Sequence, residues 1–141
     1  MNIVNFLKQN PQKRLTVLAY VYSAIYRFEV FFIKPKYLRK YWGIEGQESP
    51  ENEVGWKYTY AVNVAKVLDR ICSKTAWESK CLVRALTAQK LLKKKGIQST
   101  MYLGCSMENG KMTAHAWLRC GKLYVTGGDG TGYSIVDKFC A

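Results

Sequence analysis

The sequence predicts an α+β fold in which a helix opening on a cysteine packs on an antiparallel sheet, with a helical arm ahead of both. Three observations carry this. Apolar residues recur at helical spacing as far as Gly96, they alternate from Ile97 onward, and a well-marked helix stop divides the two patterns. The chain has 141 residues, 48% hydrophobic and 23% charged, enough for one domain with a core and too few for two ordinary ones. A disordered tail does not have this composition.

Residues 1–42 read as helical. Pro11 suits an early helix turn, and LTVLAYVYSAIYRFEVFFI then carries apolar side chains around most of its circumference. Such a helix must be covered, either by the rest of the domain or by a partner chain or membrane face. Its longest apolar stretch, Leu15 to Tyr26, has 12 residues before Arg27 and Glu29 intervene. A bilayer span takes about 20, so no transmembrane segment is expected. The basic cluster Lys34, Lys36, Arg39 and Lys40 follows, either solvated or facing an anionic surface. Residues 43–55 (GIEGQESPENEVG) are polar, with four glutamates and a central Pro50, and read as a loop. The expected division is an arm and linker over 1–55 and a core over 56–141.

Within the core, Val62, Ala65, Leu68 and Ile71 recur every three residues and define the expected buried face of one helix. The next helix, CLVRALTAQKLLKKKG, starts at Cys81 and has Leu82, Ala85, Leu86, Leu91 and Leu92 as its stripe. It ends with Lys93 to Lys95 in the last turn and Gly96 past it, both favourable at a helix C-terminus. The alternating runs IQSTMYLGC, MTAHAWLRC and LYVT are joined by Asn109-Gly110 and Gly121-Lys122, which predicts a three-stranded meander, with YSIVDKF as a fourth strand. Centring the first turn on Asn109-Gly110 sets His115 opposite Gly104 and Trp117 opposite Tyr102, and a glycine there leaves space for another group.

The chain holds one histidine and five cysteines, so Cys-His chemistry must use His115. Strand alternation puts Thr113, His115, Trp117 and Arg119 on one face and Met112, Ala114, Ala116, Leu118 and Cys120 on the other. Cys81 is the thiol best placed for nucleophilic work, because a helix start stabilises a thiolate, and Lys80 and Arg84 add positive charge. Cys72 lies near the wrong end of a helix, Cys105 and Cys120 lie on strands, and Cys140 adjoins the terminus. The bland alternative is that Cys81 is small packing material. No C-x-x-C pair exists and Cys72 and Cys81 are the nearest thiols, so no metal site is expected. The run GGDGTG lacks the order of a phosphate loop and reads as a connection between strands. An odd cysteine count and a start without the signal-peptide pattern lead to an expectation of reduced thiols in the cytoplasm. Lys and Arg total 22 against 10 acids, a net +12 that favours anionic partners. Nucleic acid is not expected, since the basic residues are scattered and lack a stacking platform.

Taken together, CLVRAL at Cys81–Leu86, LLKKKG at Leu91–Gly96, YLGC at Tyr102–Cys105 and AHAWLRCGKLYVTGG at Ala114–Gly128 resemble the transglutaminase-like cysteine peptidase domain of lasso peptide biosynthesis B proteins. The resemblance runs from Trp77 through Phe139, and the tyrosine-rich arm resembles that family's N-terminal region less specifically. It implies a transglutaminase-like (papain-like) core in which Cys81 is the nucleophile and His115 the general base. The family often has an acid about a dozen residues past the histidine. Here that position is Gly127, and the nearest acid is Asp129. An unbroken ladder would turn Asp129 away from His115. Either a bulge at Gly127-Gly128 re-aims it as the third catalytic member, or Thr126 or a backbone carbonyl orients the imidazole.

The implied activity is removal of the leader from a ribosomally made precursor peptide, with no cofactor. With no room for a leader-recognition domain ahead of the arm, the chain resembles the split form of the family. The implied partners are the precursor, a small leader-binding protein and an ATP-dependent lasso cyclase. The Cys81 amide is the expected first oxyanion donor and the Trp77 indole a candidate second, although Trp77 and Trp117 also read as core or wall residues. Arg84 either holds the acyl side of the peptide or pairs with an acid such as Glu78. Two other functions stay open at this point: acyl transfer to an amine by the same dyad, and a non-enzymatic basic module acting through residues 34–40 and 93–95.

Overall fold

Asn109 and Gly110 both take left-handed backbone conformations, φ 51° and 77°, the geometry of a two-residue hairpin turn. The turn joins β2 (Thr100–Glu108) to β3 (Lys111–Cys120) in the expected register, with Gly104 opposite His115 and Tyr102 opposite Trp117. Gly121 (φ 55°) turns β3 into β4 (Leu123–Thr126). The computed structural model describes residues 11–74 and 81–141.

The last strand, β5 (Ser134–Cys140), does not extend the meander. It crosses back to pair with β2, and a two-residue strand from the polar loop, β1 (Ile44–Glu45), pairs with β5. The sheet is antiparallel in the order β1-β5-β2-β3-β4. Arg39 holds its far edge, pairing with Asp137 of β5 and with Glu45 at 3.0 Å.

Among the described residues four α-helices complete the fold: α1 (Pro11–Phe32), the single turn α2 (Pro35–Leu38), α3 (Gly55–Lys74) and α4 (Cys81–Lys94). α4 is central. It lies on the sheet face formed by Ala116, Leu118 and Cys120, with α1 and α3 packed against it. Burial of Val83, Ala85, Leu86, Thr87, Ala88, Gln89, Leu91 and Leu92 takes up most of its circumference. The helix closes as a Schellman cap: Gly96 (φ 72°) donates to the Lys93 carbonyl at 2.9 Å and buried Ile97 donates to that of Leu92 at 3.0 Å.

One expected helix face differs from the structure. In α3 the buried face runs through Ala61, Val64, Val67, Leu68 and Ile71, whereas Val62 is exposed. A helix has about 3.6 residues per turn, so each step of three lags by about 60°, and a stripe drawn through Ile71 and Leu68 has left the core by Val62. The first 55 residues also contribute to the common core: Leu15, Ala19, Leu38 and Trp42 all belong to it, with Trp42 edge-on to Phe139 at 5.5 Å. Lys13–Phe32 is long and apolar enough, by length and composition, to cross a membrane, because the helix continues past Arg27 and Glu29 to Phe32.

On the face away from the helices, buried Arg119 fastens the polar loop to the sheet. It donates to the carbonyls of Ser49 (3.1 Å), Pro50 (3.2 Å) and Gly121 (2.7 Å) and to the Tyr102 hydroxyl (3.0 Å). That hydroxyl donates to Glu48 at 2.7 Å, a bond that holds the carboxyl below its ordinary range. Next to this network, Trp117 stacks on Tyr102 at 5.5 Å and occupies the space that Gly104 leaves. A Cβ on Gly104 would sit 2.7 Å from the indole Cη2 and Cζ3 atoms. Gly104→Ala is therefore expected to lower stability by about 1–3 kcal/mol in chemical denaturation. Gly55→Ala, where a Cβ meets open space, should stay within about 0.5 kcal/mol of the parent. Equal stabilities for the two variants would contradict the packing of Trp117 against Gly104.

Candidate active site

β4 is only four residues long and pairs with β3 from Leu118 to Cys120, which leaves the β3 edge at Ala116 open. α4 begins at this gap. The sulfur of its first residue, Cys81, accepts the Ala116 backbone N–H at 3.3 Å. As the first helical residue, Cys81 also carries a backbone N–H that the helix leaves without an internal partner.

His115 precedes Ala116, so the imidazole springs from the peptide unit beside the sulfur. Its Nε2 lies 2.7 Å from the Gly127 carbonyl. A carbonyl only accepts, so Nε2 carries the proton and Nδ1 keeps the free lone pair in the neutral ring. The ring is held in plane by Tyr133, stacked at 4.8 Å and 29°, and by Trp117, stacked at 5.9 Å and 23°. Among the described residues no hydrogen bond joins sulfur and ring directly. Catalytic hydrogen bonds commonly close only when substrate is bound.

The glycine run after β4 makes this arrangement possible. Gly127 and Gly130 have φ of 75° and 78°, and a Cβ on either would strike Trp117, at 2.9 Å from its Cβ and 2.4 Å from its Cζ2. Only a chain without side chains at these points lies this close over the indole. The loop thereby brings both the Gly127 carbonyl and Tyr133 to the imidazole. The GGDGTG segment is the connection between strands that its sequence suggests, and it supports the histidine as well.

Asp129 is not brought to His115. Its carboxylate is exposed and accepts the Thr131 N–H at 2.9 Å and the Thr131 hydroxyl at 2.5 Å, bonds that hold it below the ordinary carboxylate range. The β3–β4 register does shift, but between Leu118 and Arg119, before the glycines, so Thr126 faces Leu118 and the chain leaves the sheet at Gly127. The Thr126 hydroxyl is buried without a hydrogen-bond partner among the described residues. Of the arrangements open in the sequence, the backbone carbonyl is the one that meets the ring. Neither Gly127 nor Tyr133 could be singled out by side-chain chemistry. The available signal was the glycine at the position where an acid was sought, together with the tyrosine at the end of the loop.

Arg84, one turn after Cys81, lies 3.9 Å from Asp69 of α3. Trp77, Glu78 and Lys80 lie outside the described residues. Of the other thiols, Cys120 and Cys140 are buried, and burial pushes both upward from the ordinary thiol range, whereas Cys81 is partly exposed.

A partly exposed thiol at a helix start, bonded to the residue that follows a histidine whose Nε2 is tied to a backbone acceptor, supplies the residue types that acyl chemistry uses. Residues 42–136, about two-thirds of the chain and including Cys81 and His115, match the family model described as the Transglutaminase-like superfamily. No curated protein and no solved structure matches the chain significantly. The family match and the α+β architecture agree, and the chain belongs to the Transglutaminase-like superfamily.

Proposed function

We propose that this chain is a cytoplasmic cysteine peptidase that removes the leader from a ribosomally made lasso peptide precursor. The observation that carries the chemistry is the junction at the β3 edge, where the Cys81 sulfur is bonded to Ala116 N–H while Gly127 ties the far nitrogen of His115. The substrate class rests on the motif resemblance from Trp77 to Phe139. Partners of this reading are the precursor, a small leader-binding protein and an ATP-dependent cyclase that uses the freed amine.

In this mechanism Nδ1 of His115 takes the thiol proton and the Cys81 thiolate attacks the scissile carbonyl carbon. The carbonyl electron pair moves to oxygen, where the Cys81 backbone N–H is placed to donate. On collapse the C–N bond breaks, the imidazolium gives its proton to the leaving amine, and a thioester remains on Cys81. Water, deprotonated by His115, then attacks the thioester, releasing the leader as a free carboxylate and restoring the thiol. The Gly127 carbonyl keeps Nε2 protonated throughout. Asp129 takes no part in these steps.

The test is to incubate the chain with a precursor encoded beside it, with and without the leader-binding protein, and to weigh the fragments. A leader fragment ending in a free carboxylate is expected. A leader joined to an added amine would replace hydrolysis by acyl transfer, the other chemistry of this superfamily. Cys81→Ala should abolish cleavage, and His115→Ala should slow it by about 10²- to 10⁴-fold, with circular dichroism unchanged for both. A cleaving Cys81→Ala variant would end this reading. Asp129→Ala should retain most of the activity, because the bonds it loses lie within its own loop. Complete loss in that variant would show that the carboxylate swings to His115 during turnover.

A further inference from the structure

In a helix at the surface of a water-soluble domain, the outward stripe is ordinarily polar. In α1 it is not. Leu15, Ala19 and Ser23 point inward and are buried, whereas Val17, Tyr20, Val21, Ala24, Ile25, Phe28, Phe31 and Phe32 follow one another at spacings of one and three residues along the exposed side. Phe28, Phe31 and Phe32 are 61%, 76% and 65% exposed, with ring contacts at 4.5 and 5.0 Å among them. An apolar stripe of this length marks an interaction surface.

The residues beyond the stripe indicate what covers it. Past Phe32 the chain exposes Lys34, Lys36 and Lys40, and beside two of these lysines are the exposed rings of Tyr37 and Tyr41, at 5.0 and 5.1 Å. Lysines next to exposed aromatic rings suit the boundary between anionic headgroups and acyl chains. The net charge of +12 favours an anionic partner over a second copy of this equally basic chain. Because Leu15 and Ala19 belong to the core against α4, the helix cannot cross a bilayer without leaving the fold.

We infer that the outer face of α1, continued by Lys34, Lys36 and Lys40, docks this protein peripherally on an anionic membrane surface, with the helix lying in the interface plane. The inference is independent of the reaction proposed for Cys81.

The experiment is vesicle co-sedimentation of the full chain at low and high salt, with vesicles of phosphatidylcholine alone or mixed with phosphatidylglycerol. Sedimentation with the mixed vesicles at low salt is expected, with strong weakening by high salt and on pure phosphatidylcholine. Substituting Lys34, Lys36 and Lys40 together by Gln should weaken binding to the anionic vesicles about 100-fold, at roughly one kcal/mol per lysine. Phe28→Ser with Phe31→Ser and Phe32→Ser should also release the protein, and its thermal unfolding should match the parent because these rings are exposed. Failure to bind anionic vesicles would overturn the inference. So would salt-independent binding to both vesicle types, which signifies insertion, or a lipid-free dimer dissolved by the phenylalanine substitutions, which signifies a second copy.

Discussion

The Ala116 N–H that reaches the sulfur of Cys81 is available because β4 ends early. Had β4 continued alongside β3, that amide would have been consumed in the ladder and α4 would have met a closed edge. One short strand therefore settles where the helix start abuts the sheet, and at that gap the Cys81 sulfur meets the backbone N–H of the residue that follows His115. The same early stop releases the chain at Gly127, whose carbonyl holds the ring from its other side. Truncating the strand thus both opens the edge and supplies the histidine's orienting acceptor.

The support beneath this junction is aromatic and buried. Trp117 lies between Tyr102 and His115, covered by the glycine loop and accommodated by Gly104. Arg119, next along the same strand face, fastens the polar loop through the Ser49 and Pro50 carbonyls and is itself held by the Gly121 carbonyl and the Tyr102 hydroxyl. Packing of this kind restricts the imidazole to a narrow range of orientations, the condition that the base role proposed for it sets.

Much of the fold was legible where local chemistry dictates backbone shape. Asn109-Gly110 specified the hairpin and hence the pairing of His115 with Gly104, and Gly96 specified the end of α4, because few residues other than Gly and Asn readily adopt those angles. What depended on distant contacts was not legible. Nothing in YSIVDKF says that it returns beside β2, and nothing in the polar loop says that Ile44 and Glu45 pair with it. The face of α3 was misjudged at Val62 because a spacing of three approximates a helical turn only over short distances. Within the candidate site, the sequence singles out Cys81 and His115 by their side-chain chemistry, and Asp129 was the natural acid to consider. The ring's partner is a main-chain carbonyl, a group that every residue has and that composition therefore cannot flag.

The chain has a single histidine, so its imidazole nitrogens can be observed without ambiguity. Nitrogen NMR of the Cys81→Ser variant at a pH where the ring is neutral tests the central arrangement most directly. The account predicts one tautomer, protonated at Nε2 and unprotonated at Nδ1, as the Gly127 carbonyl demands. A ring protonated at Nδ1, or averaging freely between the two forms, would contradict it.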